Sequence, residues 1–287
     1  MSGHAPPRIL LFDSGVGGLS VAACIHHHLP SLEVVYLADN AGFPYGDKSE
    51  TVVIDRTCGL ISSALRLYPS DVIVVACNTA STVVLPHLRT MTSVPVVGVV
   101  PAIKPAAAKT QNRRIGLLAT PATVRRPYLD RLIEEFASDC RVERIGHPEL
   151  VRWAEELVSG GVVPLGELHA ATKPFRDADV DTVVLGCTHY PLLLESLKQS
   201  LPSVRFWVDS GEAIARRVAW LLDQAKQPVV AHSEALEEGQ FPVSAILFSG
   251  QAPKGIVSFM IGLGVAPKVV TEYWPDELRS ATAIESV

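Results

Sequence analysis

The sequence predicts an α/β protein, built on a parallel sheet that is covered by helices on both faces. Seven segments are short, continuous apolar runs with polar flanks, the pattern of a strand that is buried on both faces. They are 8–12, 33–37, 71–75, 94–99, 113–118, 181–185 and 205–208. Stretches with helical periodicity lie between and after them, and alternating strands and helices are typical of parallel sheets. These stretches are 18–29, 49–67, 81–91, 101–109, 123–136, 148–159, 164–178, 192–201 and 212–225.

A short internal sequence similarity indicates two similar halves. VIVVACNT (72–79) and TVVLGCTH (182–189) each run from a β-branched strand through a small residue to a cysteine and polar residues. In open parallel sheets, ligands bind outside the carboxyl ends of the strands. We therefore expect Cys77 and Cys187 at ligand-binding edges, where they would face each other across a cleft between the halves.

Composition and charge exclude several classes of protein. The 287 residues are 48% hydrophobic and 19% charged, with a formal net charge of -5. This balance argues against a nucleic-acid-binding surface, because neutralising phosphates requires a basic face. No apolar run reaches the roughly 18 residues that span a bilayer, and residues 1–7 lack the apolar core of a signal peptide. An odd number of cysteines does not suggest a disulfide framework, so reduced thiols in the cytoplasm are expected.

Two loops that follow predicted strands have the composition of ligand loops. DSGVGG (13–18) opens a helix, where glycine N–H groups and the helix N-terminus favour an anion. The alternative is a tight turn that Asp13 or Ser14 caps. DNAGFPYG (39–46) offers backbone donors at Tyr45 and Gly46; its alternative is a surface loop with buried aromatic side chains.

Cys77 and Cys187 are the strongest candidates for chemistry. Each ends a strand before polar residues and a helical stretch, and a helix N-terminus stabilises a thiolate. An unperturbed thiol has a pKa of about 8.5, and lowering it by about 1.5 would populate the thiolate at neutral pH. A single buried cysteine is more often a small core residue, but two in the same context argue against that explanation. No metal site is predicted, since no C-x-x-C occurs and the triple His26-His27-His28 points in three directions from a helix.

Several segments in order along the chain resemble glutamate racemase, a family of bacterial cell-wall synthesis. The match extends from Arg8 to about Val218, and the segments that contain Cys77 and Cys187 are the most diagnostic. The matching segments are LLFDSGVGGLSV (10–21), YLADNAGFPYG (36–46), VVACNTAST (74–82), PVVGVVPAIKPA (95–106), GLLATPATV (116–124), VVLGCTHYPLL (183–193) and VDSGEAIA (208–215).

The resemblance implies a role for each matching residue. Cys77 would take the α-proton from D-glutamate and Cys187 that from L-glutamate. Asp13 would assist Cys77, whereas His189 and Glu155 would assist Cys187. Asp39 matches a nearby acidic position without a clear role. The residues that match substrate-binding positions are Ser14, Tyr45, Gly46, Asn78, Thr79, Thr120, Thr123 and Thr188.

One departure from the family pattern affects the acidic helper. Many members carry Cys-Pro upstream of it, where this chain has His147-Pro148, and Glu149 and Glu156 then compete with Glu155 for the assignment. The register of the match to the family pattern favours Glu155. The PAIKPAA stretch (101–107) looks like the branch in which UDP-N-acetylmuramoyl-L-alanine activates the enzyme.

The resemblance also implies two α/β domains related by a pseudo-twofold axis, with the active site in the cleft between them. Residues 8–100 with 209–287 would form the first domain and 101–208 the second. The expected activity is racemisation of glutamate without a cofactor or metal, supplying D-glutamate for peptidoglycan and hence for cell shape. The sequence leaves open whether the protein forms a homodimer.

Three alternatives remain. The first is the same chemistry on aspartate or a hydantoin, which pocket length would decide. The second is a thiol redox enzyme, which needs both sulfurs within bonding distance. The third is a non-catalytic regulator, because some glutamate racemases also bind DNA gyrase; the acidic balance gives no support for direct DNA contact.

Overall fold

The computed structural model describes residues 6–225 and 241–275, and these form an α/β fold with two sheets. Every strand pairing in both sheets is parallel. The strands along the chain are β1 (Arg8–Asp13), β2 (Glu33–Ala38), β3 (Val72–Val75), β4 (Val96–Gly98), β5 (Arg114–Ala119), β6 (Arg141–Gly146), β7 (Thr182–Leu185), β8 (Phe206–Val208), β9 (Phe241–Phe248), β10 (Val265–Pro267) and β11 (Val270–Thr271).

The two sheets share one strand order. The first runs β10-β9-β2-β1-β3-β4, with β11 also paired to β9, and the second runs β6-β5-β7-β8. The core order β2-β1-β3-β4 therefore repeats as β6-β5-β7-β8, which makes the strand before Cys77 equivalent to the strand before Cys187. The sequence similarity between 72–79 and 182–189 reflects this structural repeat.

Helices cover both sheets. They are α1 (Leu19–His28), α2 (Glu50–Leu67), α3 (Asn78–Met91), α4 (Ile103–Lys109), α5 (Pro121–Val124), α6 (Pro127–Phe136), α7 (Glu149–Val158), α8 (Leu165–Ala171), α9 (Lys173–Asp177), α10 (Leu194–Ser200), α11 (Gly211–Gln224) and α12 (Ile256–Gly262). Short 3-10 turns occur at Asn40–Gly42, Tyr45–Asp47 and Tyr190–Leu193. Within the described ranges, no helix is long and apolar enough to cross a membrane.

Alternate residues of the central strand face opposite layers, as the two-residue period of a strand requires. Ile9 and Leu11 pack in a cluster with residues of α1 and α11, such as Ile25. Leu10 and Phe12 pack in another with residues of α2 and α3. The second sheet repeats this arrangement with two further clusters. A sheet buried on both faces leaves the carboxyl ends of its strands as the exposed place for polar side chains.

All seven predicted strands are present, with ends that differ by up to two residues. Two predicted helices are each divided. The stretch 123–136 is interrupted because Pro127 starts a new helix, α6. The stretch 164–178 breaks at Thr172, next to Pro174, and the Thr172 hydroxyl donates to the carbonyl oxygen of Leu168 at 2.8 Å.

Five elements were not predicted: β6, β9, β10, β11 and α12. The three C-terminal strands extend the first sheet through β9, which pairs with β2. β9 lies in the part 209–287 that is predicted to group with 8–100, and the division into 8–100 with 209–287 and 101–208 stays a prediction. The parts 226–240 and 276–287 of that proposed first domain lie outside the described residues.

Candidate active site

One cavity lies where the carboxyl ends of strands from both sheets meet. It has about 460 Å³ of empty space, part of it open to solvent. Cys77 follows β3 of the first sheet and Cys187 follows β7 of the second, and both line it. The lining residues are Ser14, Phe43, Pro44, Tyr45, Gly46, Asp47, Cys77, Asn78, Thr79, Thr120, Pro121, Pro148, Val151, Cys187, Thr188 and His189.

Ten of the predicted site residues are thus in the lining, and the other three lie directly behind it. Asp13 is fully buried and contacts Thr188, Glu155 contacts His189, and Thr123 contacts Thr120. The structure brings the whole predicted set to one place.

Cys77 is the N-cap residue of α3, the helix-terminal position that the sequence indicated. Its Sγ accepts the N–H of Ala80 at 3.5 Å and donates to Ser14 Oγ at 3.5 Å. The expectation of a lowered pKa is nevertheless wrong for Cys77. Burial, together with the charge of Asp13, raises the pKa of Cys77 to about 12, and the contacts with Ala80 and Ser14 offset only part of this. Cys77 is therefore a neutral thiol at physiological pH.

Asp13 links the two sides of the cavity. Its carboxylate accepts the N–H of Gly15 at 3.2 Å and the hydroxyl of Thr188 at 3.2 Å. Burial raises the pKa of Asp13 even though His189 and the N–H of Gly15 act in the opposite direction. No hydrogen bond joins Asp13 to Cys77 among the described residues, so Asp13 acts on that sulfur through its charge.

Cys187 is flanked by a histidine and a glutamate. The sulfur lies 3.8 Å from His189 Nδ1, and His189 Nε2 lies 2.8 Å from Glu155 Oε1. Burial alone lowers the pKa of His189, but its hydrogen bonds with Cys187 and Glu155 and their charges raise it well above its ordinary value. His189 therefore carries a positive charge beside Cys187. Of the three candidate glutamates, Glu155 is the one that contacts His189, whereas Glu149 and Glu156 are exposed.

The glycine turn 13–18 holds the glutamate of this pair. The N–H of Val16 donates to Glu155 Oε1 at 2.8 Å, so the anion at the turn is a carboxylate of the protein itself. A Cβ on Gly15 would lie 2.1 Å from Glu155 Oε1, and a Cβ on Gly17 would lie 2.3 Å from His189 Nδ1. Glycine is required at both positions because the histidine and glutamate pack directly against the backbone.

The loop that contains Tyr45 is fixed from behind by Asp39. The buried Asp39 carboxylate accepts from Tyr45 Oη at 2.6 Å, from Ser249 Oγ at 2.6 Å and from Arg56 at 2.6 and 2.7 Å. Burial tends to raise the pKa of Asp39, but the Arg56 guanidinium and the two hydroxyls hold it below its usual value. Asp39 thus has a structural role. Because the Tyr45 hydroxyl is engaged, the loop has its backbone N–H groups to offer to the cavity.

Polar side chains of Asn78, Thr79 and Thr120 complete the lining, with Thr123 directly behind them. Thr120 caps α5 and lies 3.0 Å from Thr123 and 3.5 Å from Thr79, measured between hydroxyl oxygens. The side-chain oxygen of Asn78 is buried and has no partner among the described residues. A buried acceptor without a partner is unfavourable, so this oxygen is available for a donor on a ligand.

Two ion pairs join the halves, one of them through a residue of the cavity lining. Asp47, in the lining, pairs with Arg152 at 3.4 Å, and Glu50 pairs with Arg126. In each pair one residue comes from the segment around the start of α2 and the other from the part that carries the second sheet.

Three contributors to the site were missed at the sequence level: the N–H of Val16, Ser20 and Arg56. Ser20 Oγ donates to the carbonyl oxygen of Thr188 at 2.9 Å. Contacts between residues far apart in the chain leave no local pattern in the sequence. The one available signal is the pair of glycines at 15 and 17, which indicates that another segment packs closely against this backbone.

A second, larger cavity lies away from the cysteines. It has about 1170 Å³ of empty space and is lined by apolar residues together with Lys104, Arg216 and Arg217. Lys104 belongs to the PAIKPAA stretch (101–107), and its Nζ lies 5.1 Å from the centre of the Phe136 ring. This cavity combines apolar surface with three cations.

Across 6–225 and 241–275, no group of three or more His, Cys, Asp or Glu residues could hold a metal ion. All five cysteines are free thiols.

Comparison with known proteins gives a consistent result. Residues 19–218 match the family described as Asp/Glu/Hydantoin racemase. The chain is 51% identical to glutamate racemase of Glaesserella parasuis over 224 residues, 78% of this chain and 84% of the relative. It is 52% identical to that of Klebsiella pneumoniae over 219 residues, 76% of this chain and 77% of the relative.

Solved structures agree with this. Escherichia coli glutamate racemase, crystallised with L-glutamate and the activator UDP-MurNAc-ala, is 43% identical with a TM-score of 0.82, covering 93% of this chain and 98% of that one. Isoform RacE1 from Bacillus anthracis is 29% identical with a TM-score of 0.75 and the same coverage, 93% and 98%.

Proposed function

Because the chain belongs to the aspartate, glutamate and hydantoin racemase family, we propose that it interconverts L- and D-glutamate by a cofactor-independent, two-cysteine mechanism. One observation carries the proposal: Cys77 and Cys187, from different sheets, line one cavity. Racemisation removes a proton from one face of the α-carbon and delivers another to the opposite face. Two acid–base groups that flank a cavity suit this task.

The environments of the two sulfurs differ. Cys77 is a neutral thiol because its pKa is raised to about 12. Cys187 lies beside the protonated His189, 3.8 Å from its Nδ1. The mechanism requires one acid and one base, and with Cys77 as the acid the role of base falls to Cys187.

These roles match the first step from L-glutamate. Cys187 takes the α-proton, and Cys77 delivers its own proton to the other face of the carbanion-like intermediate. The thiol and thiolate have then exchanged roles, which prepares the site for D-glutamate.

Charge that develops on the substrate needs fixed donors, because no cofactor would accept it. The N–H groups of Tyr45 and Gly46 begin a 3-10 turn that lines the cavity, where the first N–H groups have no partner within the turn. Together with the hydroxyls of Ser14, Thr79, Thr120 and Thr188 they would bind the two carboxylates. The unpaired Asn78 oxygen would accept from the α-ammonium group.

Two alternatives are less well supported. A thiol redox reaction needs a bond between the sulfurs, but both are free and a ligand-sized cavity lies along them. Aspartate is the nearer rival substrate, since the family includes aspartate racemases. Glutamate is favoured by relatives at 51% and 52% identity that are glutamate racemases.

The product would supply peptidoglycan synthesis, as in the family. A cytoplasmic location is part of this proposal, because both catalytic sulfurs must remain reduced. An activator such as UDP-MurNAc-ala would bind the larger cavity. Lys104, Arg216 and Arg217 there suit a diphosphate, and the apolar walls suit a sugar and a base.

Assay of the purified protein on L-glutamate, D-glutamate and both aspartates, with no added cofactor, tests the proposal. We expect racemisation of glutamate in both directions, with aspartate turned over far more slowly. Cys77→Ala and Cys187→Ala should each abolish it with an unchanged thermal unfolding curve. Near-normal turnover by either variant would overturn the two-thiol mechanism, and faster turnover of aspartate would overturn the substrate.

A further inference from the structure

The two cysteines differ in which half of the molecule supports them. Both hydrogen-bond partners of Cys77, Ser14 and Ala80, come from the part of the chain that carries Cys77 itself. The group formed by residues 187–189 and Glu155 instead receives part of its support from the other half. This difference has no counterpart in the symmetric strand order of the two sheets.

Three hydrogen bonds between the halves provide that support. The N–H of Val16 donates to Glu155, the Thr188 hydroxyl donates to Asp13 at 3.2 Å, and Ser20 Oγ donates to the carbonyl oxygen of Thr188, the residue between Cys187 and His189. Steric contact adds to them, because the His189 ring lies where a Cβ on Gly17 would stand. The glycine turn and the first residues of α1 therefore contact Glu155, Thr188 and His189.

We propose that Ser20, with the glycine turn before it, is a positioning element for the Cys187 acid–base group, so that proton transfer at Cys187 depends on it more than transfer at Cys77 does. The proposal rests on the two-cysteine function proposed above. Ser20 is not in the lining of the cavity that both cysteines share, and it borders a smaller pocket beside Cys187 and Thr188; it acts by holding the backbone of Thr188.

Ser20 is suited to this role by its place in the first turn of α1. Its single hydroxyl proton is shared between the carbonyl oxygens of Gly17, at 2.8 Å, and Thr188, at 2.9 Å, so one side chain joins the glycine turn to the 187–189 segment. Losing it would leave the Thr188 carbonyl without this donor and would loosen the segment that orients the sulfur.

Rates alone cannot reveal the asymmetry, because a racemase has an equilibrium constant of one and kcat/KM must change equally in both directions. Primary isotope effects do separate the two steps. The effect on kcat/KM for L-[2-²H]glutamate reports proton removal by Cys187, and that for D-[2-²H]glutamate reports removal by Cys77.

The test compares the wild type with Ser20→Ala and Ser20→Thr, with Thr82→Ala as the matched control. Thr82, the fifth residue of α3, makes the same type of bond, to the carbonyl oxygen three residues before it, that of Thr79, at 2.8 Å. We expect Ser20→Ala to lower kcat/KM about 10-fold, to raise the isotope effect with L-glutamate and to lower that with D-glutamate. Ser20→Thr should restore the wild-type values, and Thr82→Ala should leave the ratio of the isotope effects unchanged.

Isotope effects that move together, or that stay constant while kcat/KM falls, would overturn the proposal, as would an unchanged kcat/KM. Gly17→Ala serves as a second variant and should shift the two effects in the same opposite directions as Ser20→Ala, because its methyl displaces His189. A wild type that fails to racemise glutamate would instead refute the proposed function, so the two failures are distinguishable.

Discussion

His189 Nε2 lies 2.8 Å from Oε1 of Glu155, in a hydrogen bond on the side of the imidazole opposite Cys187. The same oxygen accepts the N–H of Val16. The carboxylate thus fixes the ring and holds its proton near the sulfur. The consequences of this contact can be tested directly.

Glu155→Gln should lower kcat/KM by roughly 10- to 100-fold, because the amide keeps the shape but removes the charge that stabilises the imidazolium. Glu149→Gln and Glu156→Gln are the matched controls on the same helix and should stay close to wild type. Steady-state racemisation of the three variants measures this. A loss at either control that equals the loss at Glu155 would reassign the acidic helper.

Stability should depend on pH through His189. Its folded pKa is raised above the ordinary value, so its contribution is fully present below about pH 6.5 and is lost as pH rises through the folded pKa. The free energy of unfolding of the wild type minus that of His189→Gln should therefore fall as pH rises above about 6.5. Urea unfolding across that range measures the difference, and a difference that grows with pH would show that His189 is neutral in the folded protein.

Gly46→Ala should impair substrate binding without harming the fold. A Cβ there would have Thr120 as its nearest neighbour, at 3.9 Å, and both residues line the cavity. The methyl would take space that the substrate needs, so KM should rise about 10-fold while thermal unfolding stays unchanged.

Gly59→Ala is the control for that substitution, since a Cβ at this exposed position of α2 meets nothing within 4 Å. It should leave KM unchanged and stabilise the helix by about 0.5–1 kcal/mol. An unaltered KM in Gly46→Ala would mean that substrate does not occupy this end of the cavity.

Lys104→Ala and Arg217→Ala should weaken activation by UDP-MurNAc-ala while basal racemisation stays the same. Both residues line the larger cavity, away from the cysteines. The concentration of activator for half-maximal stimulation should rise about 10-fold, as expected for loss of one charged contact. Lys109→Ala, on the same helix but outside the cavity lining, should behave as wild type. Equal responses of all three variants would place the activator elsewhere.

The sequence predicted the parts of this structure that depend on local pattern. Seven continuous apolar runs form strands, and the residues that follow them lie at the carboxyl edge of each sheet because parallel strands end at one edge. Cys77 and Cys187 come together because the carboxyl edges of the two sheets meet at one cavity. The edge strand β6 was missed because RVERIG is largely polar and mostly exposed. Edge strands bury less surface, so their sequences lack the apolar run that marks a central strand.

The energetic balance at the site was not predictable from sequence. The helix N-terminus after Cys77 was foreseen, but burial and the nearby Asp13 outweigh it and raise the pKa. Likewise, nothing local indicates that Arg56 reaches Asp39 or that Ser20 reaches Thr188. These pKa shifts and side-chain contacts depend on distances between segments that are far apart in the chain.

Racemisation of L-glutamate in D₂O, stopped early and analysed by mass spectrometry of the separated enantiomers, tests the two-cysteine account most directly. If Cys187 removes the proton and Cys77 supplies another from the opposite side, the D-glutamate formed carries one deuterium at Cα while the remaining L-glutamate carries almost none. Deuterium that appears equally in the recovered L-glutamate and in the product would show that one group serves both faces, and would contradict the account.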